Sequence, residues 1–191
     1  MAFVVVYDTC ALYGNTSRDL LIRVALAGMV QAKWSEDILD ELVRVLGRRP
    51  GSSATVLERL RSRMTEAIPG GMVTGYKPLI EVIEVLDLPD PDDRHVLAAA
   101  IRSGAQLIVT DDLDDFPASV LNPYDLEAKK PDEFLVDLID IDDRVVYSCV
   151  QQIVDSRNNP PVSIDDVLGQ LERSGLVQAA GALRLGASDD C

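Results

Sequence analysis

The stretch from Asp90 to Phe116 constrains the fold more than any other part of the chain. It opens Asp90-Pro91-Asp92-Asp93 and runs through Ala98-Ala99-Ala100 to Gly104. It then passes through Leu107-Ile108-Val109-Thr110 and ends in Asp111-Asp112-Leu113-Asp114-Asp115-Phe116. Asp90 is a good helix N-cap, Pro91 suits the first helical position, and Asp93 places a carboxylate near the positive helix end. The alanines favour helix and Gly104 stops it. Leu107 to Val109 is the short apolar run expected of a strand buried on both faces. A helix feeding such a strand is half of a parallel α/β unit, and ligands of these sheets gather beyond the carboxyl ends of the strands. Acids stand at the helix start and again at the strand end.

A third acidic position opens the chain. Phe3-Val4-Val5-Val6-Tyr7 reads as a strand and ends at Asp8-Thr9. It has neither the basic flank nor the long apolar run of a signal peptide. In a parallel sheet, Asp8, Asp93 and Asp112 would converge on one edge. Between them the pattern predicts a helix over 18–28, a short strand over 31–34, and a helix over 36–46 capped by Ser35. That last helix has an apolar stripe of Ile38, Leu39, Leu42, Val43 and Leu46. Glu41 lies off the stripe, and pattern alone leaves it on a solvated face. Further helices are expected over 55–68 and 78–86, a strand or loop over 72–76, and a last edge strand over 124–128.

Residues 129–191 read as a helical appendage to a body formed by residues 1–128. Pro131 opens one helix, another is expected over 143–156, Asn158-Asn159-Pro160-Pro161 breaks the chain, and Ser163 with Asp166 caps a third. A final helical segment spans 177–185, and 186–191 reads as a frayed tail. From residue 125 onward there are 14 acidic residues against 6 basic ones. This segment would repel phosphate, so a structural or assembly role is expected of it, with homodimerisation the favoured form.

The chain has 191 residues and a net charge of −14. That charge argues against a generic nucleic-acid-coating surface, which would be basic. It leaves open an enzyme that reaches phosphate through a bound cation. Three scattered cysteines argue against a disulfide framework and for a reducing cytoplasm. No apolar run is long enough to span a membrane.

Carboxylates at a sheet mouth are the hard oxygen ligands that Mg²⁺ and Mn²⁺ take, and a divalent ion relieves their mutual repulsion. The plainer account is that Asp90 and Asp93 serve a helix cap while Asp111 to Asp115 form a solvated turn. Caps explain one acid each, but not acids at two strand ends and one helix start. His95 reads as a packing or surface residue, Cys10 as a small buried side chain, and Trp34 as core.

These residues resemble the motifs of PIN-domain nucleases. Asp8-Thr9 after the first strand is similar to the opening motif. Ser35-x-x-Ile38-Leu39-x-Glu41-Leu42-x-x-Val45-Leu46 resembles the second, in which the Glu is a metal-site acid. Asp90-Pro91-x-Asp93-x-x-x-Leu97-Ala98-x-Ala100 resembles the third, and Ile108-Val109-Thr110-x-Asp112-x-x-Asp115-Phe116-Pro117 the fourth. The likeness covers residues 1–128 and lies nearest the VapC-type toxin ribonucleases of toxin–antitoxin pairs. It implies a three-layer α/β/α fold around a parallel sheet, and endoribonuclease action with Mg²⁺ or Mn²⁺ that leaves 5′-phosphate and 3′-hydroxyl ends. It also implies an RNA substrate, with tRNA and other structured RNAs as candidates, and a small cognate antitoxin. Asp8, Glu41, Asp93 and Asp112 would hold the metal, with Asp115 a rival to Asp112 for the fourth place. Thr9, Asp90 and Thr110 would fix the carboxylates, and Arg44, Arg48 and Arg49 would follow RNA phosphates. A non-catalytic PIN-like scaffold is the alternative.

Overall fold

The computed structural model describes residues 3–83 and 88–186. Its first part runs β1 (Phe3–Tyr7), α1 (Thr9–Tyr13), α2 (Asn15–Leu26), β2 (Val30–Ser35), α3 (Glu36–Gly47), α4 (Ala54–Ala67), β3 (Met72–Val73) and α5 (Lys77–Ile83). After a 3-10 turn at Pro91–Asp93 come α6 (Arg94–Ser103), β4 (Leu107–Val109), α7 (Ala118–Leu121) and β5 (Glu127–Lys129). The chain then turns wholly helical: α8 (Pro131–Ile141), α9 (Asp143–Ser156), α10 (Ile164–Arg173) and α11 (Val177–Gly186). The expected end of the 78–86 helix and the expected frayed tail lie largely outside the described residues.

The five strands form one parallel sheet in the order β3-β2-β1-β4-β5. Strand order reverses at β1, because the chain moves to one side through β2 and β3 and returns to the other through β4 and β5. Right-handed crossovers therefore put α2 and α6 on opposite faces of a three-layer α/β/α body. Tyr7 pairs in register with Val109. The Asp8 N–H extends that ladder to the Val109 carbonyl at 3.1 Å, which brings Asp8 level with Thr110. The crevice outside the carboxyl ends of β1 and β4 is thus the switch point where such sheets bind ligands.

Local chemistry explains the elements that aim the site. Ser35, fully buried, accepts a hydrogen bond from the Ile38 N–H at 3.2 Å and starts α3. Ile38, Leu39, Leu42 and Leu46 are buried, and each such side chain contributes about 1.5–3 kcal/mol of burial. That packing fixes the helix rotation and turns Glu41 toward the β1 edge. Several boundaries differ from expectation: the last edge strand, expected over 124–128, is Glu127–Lys129 because Asn122–Tyr124 forms a 3-10 turn, and two helix starts shift. α2 begins at Asn15 instead of Arg18, because Arg18 is buried, donating to the Leu12 carbonyl at 2.7 Å and to Asn15 Oδ1 at 2.9 Å. The helix expected from Asp90 begins at Arg94. Asp90 caps only the 3-10 turn, through the Asp92 N–H at 2.8 Å, and Asp93 makes no side-chain cap bond to α6.

The C-terminal helices share the core of the sheet domain. Phe134 meets Tyr7 edge-on with ring centroids 6.0 Å apart, and the Tyr7 hydroxyl donates to the Leu21 carbonyl in α2. Val146, Val150, Ile153, Val167, Leu168 and Leu171 are buried in the same cluster as the strand residues. Polar contacts clamp the seam. Thr16 donates to Gln170 at 2.8 Å, and Arg157 donates to Gln170 at 2.6 Å and to Thr16 at 3.2 Å. The apolar stripes of these helices, expected to serve a structural role or a homodimer interface, are buried against the body. Ser163 and Asp166 form a full capping box on α10.

Candidate functional site

Asp8 is the fixed point of the crevice, only 5% exposed. It caps α1, a five-residue helix that the sequence reading missed, accepting from the Thr9 N–H at 2.6 Å on Oδ1. Its Oδ2 accepts from the Thr110 hydroxyl at 2.8 Å, and the Cys10 thiol lies 3.2 Å away. Burial pushes the Asp8 carboxyl above the usual range, while the bonds from Thr110, Cys10 and Thr9 pull the other way. Thr110, fully buried, also accepts the Asp112 N–H at 3.1 Å. One hydroxyl thus sets both the Asp8 carboxylate and the turn that carries Asp112.

Glu41 projects from α3 into the same crevice, half-buried rather than solvated. The Thr9 hydroxyl lies 3.1 Å from its Oε2, and Arg44, one helical turn on, donates to its Oε1 at 2.5 Å. The His95 Nε2 stands 3.7 Å from the same carboxylate. His95 therefore faces the acids, a placement missed by treating it as packing or surface. A histidine at the second position of a helix that itself starts at the crevice was the available signal.

Asp93, Asp90, Asp92, Asp111, Asp112 and Asp115 complete the lining of a cleft of about 480 Å³ that also includes Asp8, Thr9, Cys10, Tyr13, Glu41 and Val45. Asp93 is raised from 3.8 to about 7, first by partial burial and then by the charges of Asp8, Asp90, Asp115 and Glu41. Asp111 is raised by burial and by Asp112, and Asp115 is also raised. All four expected metal-site acids and their rival Asp115 therefore share one cleft, and Asp111 joins them unforeseen. Among the described residues, no three Asp, Glu, His or Cys side chains are drawn together into a ready-made metal-binding group. The donor set nevertheless fits a hard divalent cation. It is all oxygen, it is mutually repelling, and Mg²⁺ commonly keeps several waters and touches only one or two carboxylates.

The three expected phosphate-following arginines part company. Arg44 is spent on Glu41. Arg48 is an exposed residue at the end of α3. Arg49 lies over the Tyr13 ring, 3.7 Å from its centroid, and donates to the Tyr13 carbonyl at 3.0 Å. Cys10 is held as a neutral thiol, pushed up by burial and by Asp8, which is consistent with a packing role. Trp34 is fully buried, as expected of core.

A parallel sheet with acids massed at its switch point defines a class, and comparison with known families confirms it. The PIN domain model matches residues 4–114, and the chain belongs to the PIN-domain family. A second model, the VapC50 C-terminal domain, matches residues 131–185. The chain is similar to a protein of Mycobacterium tuberculosis (strain ATCC 25618 / H37Rv) named "Putative ribonuclease VapC50", at 35% identity over 128 residues, covering 65% of this chain and 73% of the relative. No solved structure matches.

Proposed function

We propose that this protein is a divalent-metal-dependent endoribonuclease, the toxin of a toxin–antitoxin pair, cutting RNA to leave 5′-phosphate and 3′-hydroxyl ends. The observation that carries the reading is Asp93, a carboxyl lifted to about 7 largely because burial and four neighbouring acids crowd it. A cleft that repels its own charge so strongly is built for a cation. Mg²⁺ or Mn²⁺ bound there would lower the pKa of a coordinated water and neutralise charge on the scissile phosphate. Asp8, Glu41, Asp93 and Asp112 would hold it, with Asp115 and Asp111 beside them.

The protein's own groups supply placement. Thr9 and Thr110 hold Asp8 from two sides, so its carboxylate reaches the cleft in one orientation. Arg44 and Thr9 do the same for Glu41. Asp93 has no side-chain cap bond and is left free to face the cleft. His95 stands beside Glu41, its Nε2 3.7 Å from that carboxylate.

A small antitoxin offering an Arg or Lys side chain to the acids would silence the cleft by charge complementarity. The reading also places the protein in a reducing cytoplasm. The division into a nuclease body, 1–128, and a helical extension, 129–191, is part of the proposal. Self-association would have to use surface outside the buried stripes of α8–α11. The test is cleavage of a panel of structured RNAs, tRNAs included. We expect cutting with Mg²⁺ or Mn²⁺, and its loss in Asp8→Ala and Asp93→Ala. Full activity in excess EDTA, or in both variants, would overturn the reading.

A further inference from the structure

A second cavity, of about 370 Å³, adjoins the acid cleft and shares Cys10, Tyr13 and Asp111 with it. Its remaining walls come from two distant parts of the chain. Gly14, Ser17 and Arg49 belong to the body, and Pro131, Arg173, Ser174 and Leu176 to the C-terminal helices. The volume lies within the range of about 300–1,000 Å³ usual for small-ligand sites.

The charge of this cavity is opposite to that of its neighbour. Arg49 and Arg173 line it, and neither makes an ion pair among the described residues. Arg49 stands beside a second guanidinium: burial first and then Arg49 lower buried Arg18 to about 10. Two like charges are thus held close in a chain whose net charge is −14, with Asp19 offsetting Arg18 and no carboxylate paired with Arg49 among the described residues. Arg173 interacts at longer range with Asp166 and Glu172. The start of α2 adds to the field. Its cap residue Gly14 gives no side-chain hydrogen bond, its first turn holds no acid, and Gly14 and Ser17 line the cavity, so the positive helix end adjoins it. Asp111 alone brings negative charge, and it sits on the boundary with the acid cleft.

We propose that this cavity is a subsite for a backbone phosphate of the RNA strand whose scissile bond lies in the acid cleft, with Arg49 and Arg173 as its guanidinium ligands. The inference rests on the nuclease reading and adds to it a function for the C-terminal helices. Against the expectation drawn from their net charge, they contribute one arginine to a substrate site and so help fix where along the strand the cut falls. The Tyr13 ring, held under Arg49, lines both the phosphate subsite and the acid cleft.

The test uses the full chain in EDTA, with binding of a short labelled single-stranded RNA measured over a range of salt. Removing two phosphate contacts should reduce the slope of log affinity against log salt by about 1.4. We expect this in Arg49→Gln/Arg173→Gln, with partial recovery in Arg49→Gln/Arg173→Lys. We expect no change in a charge-matched control, Lys77→Gln/Arg144→Gln, whose residues lie outside the cavity. With metal restored, the first variant should lose most of its cleavage through a raised KM. An unchanged slope in an actively cleaving enzyme would overturn the subsite alone, as would an equal fall in the control. Protection of the wild type by inorganic phosphate without a slope change would mean that the cavity takes free anions, and would also overturn it. Absence of both RNA binding and cleavage in the wild type would instead overturn the nuclease reading beneath it.

Discussion

Asp93→Asn should make the metal-free protein more stable, and by an amount that depends on pH. The Asp93 carboxyl moves from 3.8 to about 7 on folding. At 1.36 kcal/mol per pH unit that is roughly 4 kcal/mol of destabilisation when fully ionised. Asp93 is only partly buried, and solvent screening brings the figure to about 2 kcal/mol. Because the folded-state value lies above the unfolded one, the folded protein binds the proton more tightly. Stability therefore falls as pH rises from about 4 to about 7 and stays low above that. An amide removes the charge without removing the shape. In EDTA at pH 8, the Asn variant should melt about 4–8 °C higher than wild type, at 2–4 °C per kcal/mol for a chain of this size. At pH 5 the gain should be less than half as large. Adding Mn²⁺ should reverse the order, since an ion that binds only the folded protein stabilises the form that holds it better. A gain of equal size at both pH values, or a loss at pH 8, would refute the claim that charge crowding governs Asp93.

Two further substitutions probe the scaffold. Thr110→Val keeps the side-chain volume but removes the hydroxyl that Asp8 and the Asp112 N–H share; it should cost about 1–3 kcal/mol in urea melts and weaken Mn²⁺ binding by about 10–100-fold, and an unchanged metal affinity would show that Asp8 needs no such support. Phe134→Ala empties a buried position against Tyr7 and should cost about 3–5 kcal/mol, with a single transition for the whole chain; two separate transitions would mean that the appendage does not share the core.

The sequence made the site's acids legible because each follows a strand or opens a helix, and a parallel sheet gathers such ends. Tyr7 and Val109 stand in register, so Asp8 and Thr110 meet as the strand reading required. Glu41 was legible through resemblance alone, since its turn toward the crevice depends on how α3 is rotated by packing. α1 escaped because five residues are too few to display a period. The start of α6 was read one turn early, since cap preference for Asp90 is satisfied equally well by a 3-10 turn. The placement of His95 and Asp111 beside the acids was missed because it rests on contacts with residues distant in sequence, Glu41 for His95 and Cys10 for Asp111. The docking of α8–α11 was likewise hidden: an amphipathic stripe announces that it will be covered, not by what. Net charge was silent about Arg173, for a sum over the extension says nothing of which single cation lines the second cavity.

The most direct test of the central claim is to titrate the protein with Mn²⁺ at pH 7.5 and count bound ion by its paramagnetic resonance signal, for wild type and Asp8→Asn/Asp93→Asn. The acid cleft predicts one or two tight ions per chain in the wild type, with affinity rising as pH rises past 7 and the Asp93 proton leaves, and loss of that tight class in the double variant. Tight Mn²⁺ binding of equal strength and number in both proteins would place the ion elsewhere on this acidic surface and contradict the account.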